Sequence, residues 1–184
     1  LCPCLAALSE LVENYSCTVL FCTATQPAFE EIIKDIKIRE IIESPSELFE
    51  ALKRVEVVRI GEIDDLELSE QLLKLRQVLC IVNTRKHAKE LYKKVSAGDG
   101  AYHLSTLMCP AHRREVLNEI KDQLSNNDVC RVISTQLIEA GVDIDFPTVY
   151  RSSAGLDSIV QSAGRCNREG KLKTGYIYVF HSTE

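Results

Sequence analysis

The 184-residue chain is 45% hydrophobic and carries a formal net charge of −5, so it has enough apolar content for a proper globular core. It has no run of about 18 apolar residues, and its first residues lack the basic region of a signal peptide, so neither a membrane span nor a secretory signal is predicted. The acidic balance argues against coating nucleic acid through bulk positive potential, but it allows a cleft that grips a few nucleotides.

Eight cysteines are spread along the chain, mostly inside apolar runs where cysteine behaves as a small buried side chain. We therefore expect reduced thiols and a cytoplasmic protein. Cys2 and Cys4 form one close pair, and no second Cys/His pair follows at zinc spacing, so no metal site is predicted.

The beginning of the chain predicts one helix and one strand. Apolar residues recur at helical spacing from Leu5 to Glu13, and the apolar run Cys17–Cys22 predicts a strand. Thr23-Ala24-Thr25 follows it, and taken alone this triplet indicates no more than a strand end capped by hydroxyls. Because one helix and one strand cannot form a stable lobe, residues 1–29 are expected to pack irregularly.

A charged segment of helical pattern, residues 30–54, comes next and is broken at Ser44-Pro45-Ser46, which predicts a connector. Beyond it, alternating apolar residues over Val55–Ile60 predict a strand. The acidic stretch that begins at Asp64 predicts the start of a helix that runs through Leu75.

Three polar residues, Asn83, Thr84 and Arg85, follow the continuous apolar run Gln77–Val82, which predicts a central parallel strand. They precede a helix predicted over Lys86–Val95. Asparagine and threonine at such a position can cap the helix, and they can also donate to a phosphate. The residues alone leave both interpretations open.

The remaining elements alternate between strand and helix. Strands are predicted at Ala101–Leu104, Val129–Ser134, Thr148–Arg151 and Tyr176–Phe180, and a helix from Pro110 with its buried face at Val116, Leu117, Ile120 and Leu124. Ser105 and Thr135 follow two of these strands, at the sheet edge where α/β proteins place ligands. The alternation predicts a doubly wound parallel α/β sheet.

The last predicted helix carries a polar face. With Asp157 or Ser158 as N-cap, Gln161, Arg165 and Arg168 fall at i, i+4 and i+7, within roughly 60° of one another. Gly164 lets another surface approach. Two arginines on one face suit a polyphosphate whose charge rises in a transition state. The plainer interpretation is a solvated arginine face, with Ser158 and Gln161 forming a capping box.

These residues carry a resemblance. QSAGRCNR, residues 161–168, resembles the last conserved motif of superfamily 2 helicases, and STQLIEAGVDIDF, residues 134–146, resembles the motif before it. Thr23-Ala24-Thr25 resembles the helicase motif that couples the nucleotide and nucleic-acid sites. Over nearly its whole length the chain looks most like the helicase part of the CRISPR-associated helicase-nuclease of type I interference systems.

The resemblance implies a RecA-like second helicase lobe, with the fold of a P-loop NTPase but without the P-loop. Residues 1–29 would be a remnant of the first lobe, residues 30–54 the connector, and residues 55–184 the second lobe. The sequence has no Gly-x-x-x-x-Gly-Lys-Ser/Thr loop. ATP and Mg²⁺ would therefore be held mainly by the missing first lobe, and the chain alone is expected to be inactive.

The resemblance also implies residue roles. Arg165 and Arg168 would reach the ATP phosphates as arginine fingers, and Gln161 would position the γ-phosphate or the attacking water. Asp143 would support the nucleotide sugar or the arginine helix, with Gly141 and Gly164 close to the nucleotide. Contacts to single-stranded DNA would come from Asn83, Thr84, Arg85, Ser105 and Thr135.

As partners, the resemblance implies single-stranded DNA, an RNA-guided surveillance complex and an HD-type nuclease in cis or in trans, in antiviral defence. Two alternatives remain. A DEAD/DEAH-type RNA helicase would have the same lobe, although Ser162 stands where that class usually has arginine. A non-catalytic adaptor could keep the fold and bind without ATP. Glu139 and Asp145 receive no role beyond local structure.

Overall fold

The computed structural model describes residues 2–22, 39–139 and 141–183. They divide into two compact units, Leu1–Lys53 and Arg54–Glu184, which we describe separately. Within the described ranges, no helix is long and apolar enough to cross a membrane.

The first unit contains two described helices, α1 (Cys2–Tyr15) and α2 (Pro45–Ala51). The first confirms the helix expected over Leu5–Glu13, with additional residues at both ends. The strand predicted at Cys17–Cys22 is wrong, because residues 16–22 form no regular structure. A strand needs a neighbour for its hydrogen bonds, and the described part of this unit offers none. Thr23-Ala24-Thr25 lies outside the described residues.

The second unit is built on a six-stranded sheet whose order is β1-β6-β5-β2-β4-β3, and all of its neighbouring strands are parallel. The strands are β1 (Val55–Ile63), β2 (Gln77–Ile81), β3 (Ala101–Leu104), β4 (Cys130–Ser134), β5 (Thr148–Ser152) and β6 (Gly175–Ser182). This architecture confirms the doubly wound parallel α/β sheet that the alternation of elements predicts.

Four helices and one 3₁₀ turn connect these strands, namely α3 (Asp65–Lys74), α4 (Arg85–Val95), α5 (Pro110–Ser125), the 3₁₀ turn Gln136–Ile138 and α6 (Leu156–Ala163). Their starts follow local chemistry. The Asp64 carboxylate accepts hydrogen bonds from the N–H groups of Leu66 and Glu67 at 2.8 and 2.9 Å. The Thr84 hydroxyl accepts from the N–H of His87 at 3.1 Å. Pro110 occupies the first turn of α5, where no intrahelical N–H is needed.

The sheet buries apolar side chains on both faces. Val78 and Cys80 of β2 belong to a cluster that includes residues of α3 and α4. Leu79 and Ile81 belong to a second cluster, which includes Ile120 of α5. Successive strand side chains point to opposite faces, so a strand covered on both sides must be apolar throughout. This explains the continuous apolar run of β2.

Helix α6 differs from its prediction at both ends. It begins at Leu156 with Gly155 as N-cap, and no side chain caps it, so the predicted capping by Asp157 or Ser158 is wrong. It ends at Ala163, so Arg165 and Arg168 are not on its face. The chain leaves the helix because a parallel bridge forms between Phe146 and Cys166. The flanking N–H groups of residues 146 and 167 are satisfied by this bridge rather than by a longer helix.

Candidate functional site

The two arginines lie on a turn that directly follows α6. Asn167, between them, has a φ of 45°, which no continuing helix would allow. The N–H of Phe146 donates to the carbonyl of Arg165 at 2.9 Å, and the N–H of Asn167 donates to the carbonyl of Phe146 at 2.9 Å. The arginine turn, residues 164–168, is therefore fixed to the chain around residue 146.

The Arg165 guanidinium is half-buried and is held by backbone oxygens. Its Nε donates to the carbonyl of Ile138 at 3.0 Å, and its Nη2 donates to the carbonyl of Glu139 at 2.6 Å. Burial lowers the pKa of Arg165, the Arg168 charge lowers it further, and Asp143 opposes the shift. Because an arginine remains protonated in proteins, the turn presents a partly desolvated cation.

Arg168 forms an ion pair with Asp143. Its Nη1 lies 2.7 Å from Asp143 Oδ1, and 46% of the Arg168 side chain is exposed. Asp145 holds the backbone of the same turn, because its two oxygens accept from the N–H groups of Arg168 and Glu169 at 2.7 and 3.1 Å. The ion pair connects Asp143 to the arginine turn, and both roles expected for Asp143, support of the nucleotide sugar or of the arginine segment, stay predictions.

Both glycines predicted to lie close to the nucleotide are exposed to solvent. Gly164 is exposed, and the nearest atom to a side chain placed there would be the Gln161 carbonyl oxygen, at 3.3 Å. Gly141 has a φ of +70°, and a Cβ at this position would meet no atom of the described residues within 4 Å. A glycine is therefore favoured at position 141 by the positive φ and not by close packing. Gln161 is half-buried on α6. The backbone at both glycines is therefore accessible to solvent.

The residues predicted for nucleic acid lie at the carboxyl edge of the sheet, but their side chains differ in availability. The Asn83 oxygen accepts from Arg151 Nη1 at 2.7 Å. Its Nδ2 donates to the carbonyl of Ser153 at 2.8 Å and to Ser152 Oγ at 3.3 Å. Asn83 is exposed, but its amide is thus engaged by hydrogen bonds within the protein, which join the ends of β2 and β5.

The other four residues divide into two pairs. Thr84 and Arg85 are exposed at the start of α4, with the Thr84 hydroxyl acting as the helix cap. Ser105 and Thr135 are buried, at 5% and 7% exposure. The Ser105 hydroxyl accepts from the N–H of Leu107 at 3.3 Å. Of these four residues, Thr84 and Arg85 are the two that are exposed to solvent.

A cleft of about 330 Å³ lies beside Asn83 and Thr84. The structure also brings to it residues that the sequence does not single out: Lys86, His87, Ser153 and His181. Ser105, Thr135 and the arginine turn do not line this cleft. The predicted nucleic-acid residues are therefore on one sheet edge but not in one pocket.

Sequence reasoning missed a buried ion pair between these two regions. Arg151 of β5 is fully buried, and its Nε lies 3.0 Å from Glu139 Oε1. Burial lowers the pKa of Arg151, and the Glu139 carboxylate opposes that shift. An arginine inside a buried strand was the available signal, since arginine is almost never buried without a partner. Its partner is 12 positions away in an irregular segment, where no periodicity reveals it.

A family profile described as the C-terminal part of the CRISPR-associated nuclease/helicase Cas3 matches residues 74–171, just over half of the chain. The chain belongs to this family. The resemblance that the helicase motifs imply is thereby confirmed, and the second unit is the C-terminal helicase lobe of a Cas3-type protein.

Several Cas3 relatives share stretches of this sequence. The nuclease/helicase of Haloferax volcanii is 59% identical over 56 residues, which are 30% of this chain and 6% of the relative. That of Methanothermobacter thermautotrophicus is 33% identical over 111 residues, 57% of this chain and 13% of the relative. The Cas3 helicase of Thermoproteus tenax is 30% identical over 114 residues, which are 58% of this chain and 20% of the relative. The chain thus spans a fifth or less of these relatives.

Solved structures share the fold. The crystal structure of T. fusca Cas3-ATP superimposes with a TM-score of 0.60 at 21% identity, covering 72% of this chain and 19% of that one. The helicase MrfA bound to DNA gives a TM-score of 0.58 at 17% identity, covering 70% and 20%. The Cas3 lobe and this more distant helicase therefore share one architecture.

Proposed function

We propose that this Cas3-type lobe works in a longer polypeptide as the second half of an ATP-dependent single-stranded DNA translocase. Residues 1–29 belong to the first lobe, residues 30–54 connect the lobes, and residues 55–184 form the second. The first lobe binds ATP and Mg²⁺, and Arg165 and Arg168 complete the site when the cleft between the lobes closes. Gln161 positions the γ-phosphate or the attacking water.

The observation that carries this proposal is the placement of two cations on one short turn. Arg165 has no carboxylate within ion-pair distance among the described residues, and its pKa is lowered first by burial and then by the charge of Arg168, while Asp143 opposes the shift. Two neighbouring guanidinium groups repel each other, and a polyphosphate relieves that repulsion with bidentate hydrogen bonds. Gly164, directly before Arg165, is exposed to solvent. Negative charge that grows on the transferred phosphoryl group is stabilised in the same way.

The names of the solved relatives support the proposal that the complete protein binds a nucleotide and a nucleic acid. T. fusca Cas3 structures are described with ATP, ADP and AMPPNP, and the helicases MrfA and Lhr are described bound to DNA. In this chain the exposed start of α4, at Thr84 and Arg85, faces solvent at the carboxyl edge of the sheet. We assign it to the DNA backbone, with Asn83 as its support and Ser105 and Thr135 further along the same edge.

The family name, nuclease/helicase, supports the proposed partners. An HD-type nuclease, fused or separate, would cut the strand that the motor moves. An RNA-guided surveillance complex would load the motor onto invading DNA in the cytoplasm, as part of antiviral defence. Both assignments rest on family membership and not on a surface of this lobe.

Two variants of the complete polypeptide test the assignment. Arg168→Ala should lower kcat for ATP and leave the dissociation constant for single-stranded DNA without nucleotide near that of the wild type. Arg85→Ala should weaken DNA binding and reduce the salt dependence of binding by about one phosphate contact. If the two effects are exchanged, the assignment of the two surfaces is wrong.

The same assay separates the alternatives. A DNA motor is stimulated by single-stranded DNA more than by RNA of the same sequence. Stimulation by RNA alone would favour the RNA helicase class. A complete polypeptide that binds nucleic acid but does not hydrolyse ATP would favour the adaptor.

A further inference from the structure

We propose that Glu139 and Arg151 form a buried positioning pair that transmits the state of the arginine turn to the DNA-facing cleft at Asn83. This inference rests on the proposed function and deepens it, because it names the side chains that link the two surfaces. Neither residue touches ATP or DNA in this scheme. We call the connection from Arg165 through Glu139 and Arg151 to Asn83 the relay.

The relay begins at the backbone of residues 138 and 139. The Arg165 guanidinium donates to both carbonyls, at 3.0 and 2.6 Å. The Glu139 side chain continues from the same residue into the interior, where Oε1 lies 3.0 Å from Arg151 Nε. The Ser162 hydroxyl of α6, which donates to the carbonyl of Ser158 at 2.7 Å, also lies 3.2 Å from Oε1. One carboxylate therefore meets both the helix that leads into the arginine turn and the buried guanidinium.

The relay ends at the cleft. Arg151 Nη1 donates to Asn83 Oδ1 at 2.7 Å. It also donates to the carbonyl of Ser152, the next residue in the chain, at 2.8 Å. These contacts fix which way the Asn83 amide points, because only its oxygen can accept from a guanidinium. The Asn83 Nδ2 is then directed at the carbonyl of Ser153, and Asn83 and Ser153 line the cleft. A shift of Arg151 must move or break these contacts.

The composition of the pair also argues for a role beyond stability. Arg151 has 0% exposed side-chain surface, and Glu139 has 6%. A buried ion pair of this kind recovers little more than its desolvation cost, and an apolar pair of similar volume is often as stable. Among the described residues, neither Nε nor Nη2 of Arg151 has a hydrogen-bond partner, so the 3.0 Å contact of Nε with Glu139 is an ion pair without hydrogen-bond alignment, and the arrangement is not the most favourable one for burial. What Arg151 adds is direction, because its planar guanidinium holds the two acceptors of Nη1, Asn83 Oδ1 and Ser152 O, in a fixed geometry while the Glu139 charge attracts the same group.

The expected sequence of events follows from these contacts. When ATP phosphates draw Arg165 away, the carbonyls of residues 138 and 139 lose their donors, and the segment that carries the Glu139 carboxylate can shift. Arg151 follows that carboxylate, and the Asn83 amide at the cleft follows Arg151. ATP binding thereby changes the affinity for DNA, and DNA binding changes the affinity for ATP by the same factor.

The test measures this coupling in the complete polypeptide. The dissociation constant for single-stranded DNA is measured with and without AMPPNP, and the ratio is the coupling factor; allosteric factors of roughly 5 to 150 are typical. Glu139→Leu and Arg151→Met singly leave one buried charge without its partner and should lower the melting temperature. The double variant Glu139→Leu/Arg151→Met should recover the melting temperature but have a coupling factor near one.

A stabilising role alone gives a different result, because the double variant would then recover both the melting temperature and the coupling. That outcome overturns the relay. If the double variant melts well below the wild type, Glu139→Gln decides, since it keeps the size of the side chain and removes its charge. Loss of coupling in Glu139→Gln supports the relay, and a coupling factor equal to that of the wild type overturns it.

Arg131→Met is the matched control. Arg131 donates to three backbone carbonyls, those of Leu73, Leu75 and Asp99. It lies near the start of β4, at the amino ends of the strands and therefore opposite the carboxyl edge. Its loss should lower the melting temperature and leave the coupling factor unchanged; loss of coupling here as well would overturn the relay. A wild-type polypeptide without coupling would contradict the proposed function itself, whereas coupling that survives in the Glu139 and Arg151 variants contradicts only the relay.

Discussion

Arg165→Ala in the complete polypeptide should separate catalysis from folding and from DNA binding. If Arg165 stabilises the charge on the transferred phosphoryl group, kcat for ATP should fall by roughly 10³ or more, while KM changes much less. The affinity for single-stranded DNA without nucleotide should change by no more than the wild-type coupling factor, because in the proposed scheme this guanidinium acts on the ATP phosphates and reaches the DNA-facing cleft only through the relay.

The cost to stability follows from the contacts of Arg165. The substitution removes two hydrogen bonds from a charged donor, to the carbonyls of Ile138 and Glu139. Fully buried bonds of this kind contribute about 1.5 to 3 kcal/mol each, but Arg165 is half-buried, so water can replace the lost donors. We expect a loss of about 1 to 2 kcal/mol in the free energy of unfolding, which is a few degrees in Tm.

Three measurements on the same preparations decide the matter: steady-state ATP hydrolysis, thermal unfolding and DNA titration. Arg165→Lys serves as the geometric control, because a point charge without the planar fork should restore only part of kcat. A variant that keeps its ATPase rate but loses DNA binding would place the arginine turn on the nucleic-acid path. The assignment of both arginines to ATP would then be wrong.

Three further predictions concern binding, pH and local structure. The chain alone should bind single-stranded DNA weakly, with affinity that falls steeply between two salt concentrations; tight, salt-insensitive binding would contradict this. Burial, and then Lys89, lower the pKa of His103, so its neutral form is favoured in the fold, and Tm should drop as the pH falls below about 6.5. His103→Phe should flatten that drop in a melting series. Asp145→Ala should lower Tm by a few degrees, since two backbone N–H groups lose their acceptor.

The elements that could be predicted from sequence are those governed by local chemistry and by burial. The apolar run of β2 predicts a strand covered on both faces, and β2 is an interior strand of the sheet. The Asp64 side chain begins α3, and that of Thr84 begins α4, as their positions before the helices indicate. Both helix starts depend on atoms two or three residues away, which is within reach of sequence reasoning.

The features that could not be predicted depend on distant contacts. The end of α6 is set by the bridge between Phe146 and Cys166, residues 20 positions apart, and the helical repeat of the arginines gives no sign of it. Asn83 meets Arg151 across 68 positions, so its amide looks available in the sequence and is occupied in the fold. The predicted strand Cys17–Cys22 is wrong because a distant contact is lacking: without a neighbouring strand among the described residues of its unit, the backbone of an apolar segment has no pairing partner.

The central claim is that this lobe completes an ATP site whose phosphate loop and Mg²⁺ ligand lie in another lobe. The most direct measurement is ATP hydrolysis with single-stranded DNA present, by this 184-residue chain and by the complete polypeptide in parallel. We expect hydrolysis by the complete polypeptide and none above background by the chain alone. A rate by the chain alone of about 1 s⁻¹ or faster, which is typical of a working enzyme, would contradict the claim.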